Sequence, residues 1–78
     1  MQFKINILAG GNPPRFVPFV AERFMRKSAA LAYMIDYATE ANAKIIYEDD
    51  EENPGTMDIL VCKGEYADQF EIVPEGEK

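Results

Sequence analysis

Apolar and polar residues alternate along three stretches of this chain. In residues 2–9, Phe3, Ile5, Ile7 and Ala9 fall on one side and Gln2, Lys4, Asn6 and Leu8 on the other. A period of two is what a strand with one buried face requires. In "TMDILVCK" (56–63) the same period sets Met57, Ile59 and Val61 against Asp58, Leu60 and Cys62, and in "DQFEIV" (68–73) it sets Phe70 and Ile72 against Glu71 and Val73. "KIIY" (44–47) reads as a further short strand. Between these stretches the period changes: Leu31, Met34, Ile35 and Ala38 recur at helical spacing and predict a helix over 28–42, with Ser28 as its cap and Asn42 as its stop.

The punctuation between the periodic stretches completes the order. "GGNPP" (10–14) ends the first strand, because its residues allow unusual dihedrals and its prolines donate no ladder hydrogen bond. The aromatic and β-branched content of "RFVPFVAE" (15–22) favours a second strand, which Pro18 confines to a sheet edge or a bulge. A helix beginning near Pro18 is the competing reading, since Val20, Phe24, Leu31, Ile35 and Ala38 approximate one stripe. "EDDEENPG" (48–55) reads as a solvated loop closed by a Pro-Gly turn. With no linker and no internal repeat, residues 1–78 form a single α+β domain in ββαβββ order, one helix covering one face of a sheet.

That arrangement leaves the other sheet face to solvent or to a partner. If the helix covers Phe3, Ile5, Ile7, Met57, Ile59, Val61, Phe70 and Ile72, then Leu8, Leu60, Cys62 and Val73 lie on the open face. One of Ile45 and Ile46 joins them, and Ile46 is the candidate.

The order of elements, with "FKINIL", "SAALAYMIDYATE", "KIIYEDDEENP" and "ILVCKGEYADQFEIVP", resembles ubiquitin-like β-grasp proteins. It is most similar to the ubiquitin-fold modifier family. The resemblance implies a mixed sheet and a patch on the open face that meets partner proteins. It also implies activating and conjugating enzymes as partners, with transfer through a C-terminal glycine. Here that glycine is Gly76, preceded by Glu75 and followed by Glu77 and Lys78. The family's glycine follows a valine on a slender tail, so this sequence departs from the pattern, and a plain chain terminus is the alternative reading of Gly76.

Charge and composition narrow the function classes. Fourteen acids against eight bases give a net charge of −6, which disfavours direct binding to nucleic-acid phosphates or anionic membranes. A basic partner domain fits better, and the run Glu48, Asp49, Asp50, Glu51, Glu52 is its candidate docking site. A scaffold using that run, or a small acidic inhibitor of a nucleic-acid-binding protein, are the rival readings. The run lacks the spacing of a calcium loop.

The sequence has no histidine, so the usual general base and the commonest zinc ligand are missing. "AGGNPP" lacks the lysine of a phosphate loop. These features predict no catalytic residue, no metal and no cofactor. The single Cys62 suits a reducing compartment, cytoplasm or nucleus, and reads as a strand residue. "MQFKINILAG" fits neither a signal peptide nor a membrane span. Tyr33 and Tyr37, one helical turn apart beside Asp36 and Glu40, are boundary residues or a second partner surface. Arg23, Arg26 and Lys27 form a small basic island. Monomer and homodimer both remain open.

Overall fold

The computed structural model describes residues 1–75. Its elements are β1 (Gln2–Ala9), β2 (Arg15–Pro18), α1 (Lys27–Glu40), β3 (Lys44–Asp49), β4 (Met57–Lys63) and β5 (Tyr66–Glu75). One helix packs on a five-stranded sheet of order β2-β1-β5-β4-β3. The expected ββαβββ order forms. The expected mixed sheet does not, because every strand pair is antiparallel.

Element lengths explain the direction of each strand. The 14 residues of α1 span about 21 Å, close to the length of a six-residue strand. The helix therefore returns the chain to the end of the sheet at which β2 began, and β3 runs in the same direction as β2. Two tight reversals then bring β5 alongside β1 in the opposite sense. The second reversal is a two-residue turn at Gly64–Glu65, where Lys63 pairs with Tyr66. Gly64 has φ +61°, the left-handed conformation that a hairpin with glycine at its first turn position needs.

The helix-facing residues match the alternation in the sequence. Ile5, Met57, Ile59, Val61, Phe70 and Ile72 form the buried sheet surface, and Ala30, Met34 and Ala38 descend onto it from α1. The two alanines let the helix approach closely, and Met34 fills the space between them. Phe19 stands edge-on to both Tyr37 and Phe70, with ring centroids 5.2 and 4.8 Å apart. These ring contacts close one side of the core. Phe24 and Tyr33, at 5.5 Å, contribute a further edge contact.

Several boundaries differ from expectation for physical reasons. The apolar stripe of the helix centres on Ala30, Met34 and Ala38, and Ile35, about 100° further round, is 37% exposed. Ser28 does not cap; Arg26 holds the cap position with no side-chain hydrogen bond. Asn42 does end the helix. It adopts φ +58°, the Asn42 N–H bonds the Thr39 carbonyl at 3.1 Å, and the Ala43 N–H bonds the Ala38 carbonyl at 2.8 Å. That is the paired closure of a Schellman stop.

The second strand covers only 15–18, and Pro18 sits on a sheet edge as expected. β3 runs two residues further than "KIIY", so Glu48 and Asp49 belong to a strand rather than to a loop. β5 extends over both ends of 68–73, because Tyr66 and Glu75 find ladder partners in Lys63 and Gln2. At the loop before β4, Gly55 has φ +87°, and a Cβ there would lie 3.3 Å from Pro74 Cγ. Among the described residues no helix is long and apolar enough to cross a membrane.

Phe70 is fully buried and touches both ring partners, so Phe70→Ala should cost about 3–5 kcal/mol. Small domains have about 5–15 kcal/mol in total. Urea unfolding should show a large fall in midpoint, and an unchanged midpoint would contradict this core.

Candidate functional site

Ladder register decides which open-face residues stand together. Antiparallel partners point to the same side of a sheet, so each row of paired residues forms a line across the strands. One line runs Ile46, Leu60, Gln69 across β3, β4 and β5. The pairing of Ile7 with Phe70 and of Asn6 with Glu71 places Leu8 of β1 next in that line, and Phe16 of β2 pairs with Leu8. Leu8 and Phe16 are half-buried, whereas Leu60 is 39% and Ile46 53% exposed. The result is an apolar row interrupted only by Gln69.

The adjacent line is acidic. Glu48 pairs with Asp58, Asp58 with Glu71, and Glu71 with Asn6. Three carboxylates therefore occupy neighbouring cross-strand positions, an arrangement that costs stability through like-charge repulsion. Asn6 donates from Nδ2 to Glu71 Oε2 at 2.9 Å, fixing one end of the row. A shallow depression lies where the two lines meet in β3 and β4, lined by Ile46, Glu48, Asp58, Leu60 and Gln69.

The predicted site residues are only partly brought together. Leu8, Ile46 and Leu60 share the apolar row. Val73 is on the open face as expected, but it pairs with Lys4, and the carboxylate row separates it from Leu60. Cys62 is half-buried on the same face, where it pairs with Lys44 and Ala67. Gly76, the conjugation candidate, lies outside the described residues. Phe16, Asp58 and Glu71 belong to the site without having been singled out. Strand parity places the last two on the open face, but only the pairing register aligns them.

The acidic run 48–52 does not form one docking loop. Glu48 joins the open face, while Asp49 accepts a hydrogen bond from Lys27 Nζ at 2.6 Å. Asp50 folds the turn that follows: its carboxylate accepts from the Glu52 N–H at 3.0 Å and from Asn53 Nδ2 at 2.9 Å. Glu51 and Glu52 remain exposed in that turn.

The hydrogen bond from the Asn53 side chain, then that from the Glu52 backbone, hold the Asp50 carboxyl below its ordinary 3.8. Among the described residues no group of three His, Cys, Asp or Glu side chains is placed to hold a metal ion. On the helix surface Tyr33, Asp36, Tyr37 and Glu40 line a second depression. In the basic island Arg23 pairs with Glu75 at the end of β5.

Compared with models of known protein families, with curated proteins and with solved structures, the chain matches none.

Because Asp50 binds its proton less readily when folded, its contribution to stability is complete above pH 3.8. The contribution is lost as pH falls through the lowered folded value. Asp50→Asn should therefore flatten the dependence of the urea midpoint on pH below about 4 and leave the slope near neutrality unchanged. An acid limb of unchanged steepness would show that these turn contacts do not act on folding.

Proposed function

We propose that this chain is a non-enzymatic protein-recognition domain that reads its partner with the open face of the sheet. The mode of action is the one implied by its likeness to ubiquitin-like proteins. The observation that carries the reading is the juxtaposition of the apolar row (Ile46, Leu60, Leu8, Phe16) with the carboxylate row (Glu48, Asp58, Glu71). A face with no partner has no reason to align three like charges, since their repulsion opposes folding. A protein segment bearing an aliphatic or aromatic side chain flanked by Lys or Arg would bury the first row and neutralise the second.

This partner chemistry also orders the rival readings. The scaffold reading required residues 48–52 to act together, yet Asp49 and Asp50 are engaged within the fold. An inhibitor imitating nucleic acid would need acids spread over one broad surface. Here the acidic row is bordered by the apolar row, and Lys4 and Lys44 share its side of the sheet, Lys44 beyond the apolar row.

Of the resemblance, the order of elements carries over, and the use of the open face is part of the proposal. A β-grasp with a mixed sheet would require a parallel strand pair, and β1 and β5 are antiparallel. Conjugation through Gly76 gains no support from β5, whose ladder runs through Glu75, the residue just before that glycine.

Random peptides displayed against the immobilised domain should enrich sequences with an apolar residue flanked by Lys or Arg. A selected peptide should bind Leu60→Glu at least roughly tenfold more weakly. Asp58→Asn should bind it several-fold more weakly, with the loss shrinking as salt rises. Circular dichroism of both variants should match the parent. Full binding by a folded Leu60→Glu variant would remove the open face from the proposal.

A further inference from the structure

The two edges of the sheet are built differently. At β2, ladder alternation is fixed by the bond from the Phe19 N–H to the Ile5 carbonyl, 2.9 Å. It directs the main chain of Val17 toward β1 and that of Phe16 and Pro18 outward. Pro18 has no N–H, so this edge offers little to a further strand. At β3 the bond from the Asp50 N–H to the Thr56 carbonyl, 2.9 Å, sets the same alternation. Glu48, Ile46 and Lys44 face β4, and the N–H and C=O groups of Ile45, Tyr47 and Asp49 point outward with no strand beyond them among the described residues.

Of the usual defences of an edge, β3 has only charged side chains, at Lys44, Glu48 and Asp49. It has no proline, glycine or bulge across its six residues. It exposes Ile46 and Tyr47, one on each face. Its single outer lysine, Lys44, is balanced by the acids at its other end.

We infer that the β3 edge is a homodimer interface, in which β3 of a second copy adds antiparallel about a two-fold axis through Ile46. The occupant is a second copy because the strand is complementary to itself. With Ile46 opposite Ile46 of the second copy, Lys44 falls opposite Glu48 and Glu48 opposite Lys44. Ile45 meets Tyr47 in the pairs that exchange main-chain hydrogen bonds. Asp49, already neutralised by Lys27, falls opposite Ala43.

No carboxylate opposes another in this register. Centring on Tyr47 instead would set Ile46 against Glu48 and Ile45 against Asp49. Centring on Ile45 would set Lys44 against Ile46. Charge and apolar matching thus select one register. The ten-stranded sheet that results joins the two apolar rows end to end through the paired Ile46 side chains. The inference does not depend on the recognition reading.

Sedimentation of the full chain from about 1 μM to about 1 mM covers moderate and weak self-association. It should show a species of roughly twice the 8.8 kDa of one chain. Lys44→Glu alone and Glu48→Lys alone should each stay monomeric, since each sets like charges opposite one another. Their equimolar mixture should recover the dimer, because each supplies the charge the other lacks. A parent that stays monomeric throughout, or single variants that dimerise as the parent does, would overturn the inference.

Should a charge variant lose its fold, Ile46→Cys in a Cys62→Ser background decides the matter. A non-hydrogen-bonded pair holds its Cα atoms roughly 4.5 Å apart, within reach of a disulfide. Mild oxidation should link two chains through position 46. A thiol that stays unlinked would count against the register.

Discussion

The antiparallel ladder between β1 and β5 holds the rest of the molecule in place. It joins the first strand to the last, pairing Gln2 with Glu75 and Ile7 with Phe70, and it is the seam between the amino-terminal hairpin and the β3–β4–β5 meander. On one side it sets Ile5 and Ile72 in the core that also holds Met34. On the other it sets Leu8 in line with Gln69 and Asn6 against Glu71. The same six-residue register therefore specifies both the core and the open face. A slip of one residue would exchange the two faces of β1 relative to β5 and destroy both.

Seen through that ladder, the molecule keeps two features that stability alone would remove. The line Glu48–Asp58–Glu71 concentrates negative charge where a neutral or alternating row would fold better. The outward main-chain groups of Ile45, Tyr47 and Asp49 lack the protection that Pro18 gives the opposite edge. The aligned carboxylates and the open edge meet at β3, where Ile46 belongs to the apolar row and lies at the centre of the self-complementary strand. A partner on the open face and a second copy on the edge would thus be neighbours.

The face of each strand residue was legible in the sequence because alternation at β1, β4 and β5 is a purely local property. Pro18 at an edge and Asn42 at the helix stop were legible for the same reason: one lacks a donor, the other tolerates a left-handed backbone. What eluded the sequence was relational. Ile35 looks like a core residue until the positions of Phe19, Tyr37 and Phe70 fix the rotation of the helix. The acids at 48–52 look like one loop until Met57 claims Asp49 as a strand partner. Phe16, Asp58 and Glu71 are separated by up to 55 residues along the chain, and only the registers of three ladders bring them to adjacent rows. Strand direction, and with it the departure from a mixed sheet, depends on which strand after the helix lies beside β1 rather than on any motif.

The central claim is the direction and register of β1 against β5, and nuclear Overhauser spectroscopy in heavy water reads it directly. Non-hydrogen-bonded antiparallel pairs bring their Cα atoms to roughly 4.5 Å. The register therefore predicts strong Hα–Hα cross-peaks between Ile5 and Ile72 and between Ile7 and Phe70. Absence of both, or their replacement by the weaker contacts of a parallel pair, would contradict the core and the open face together.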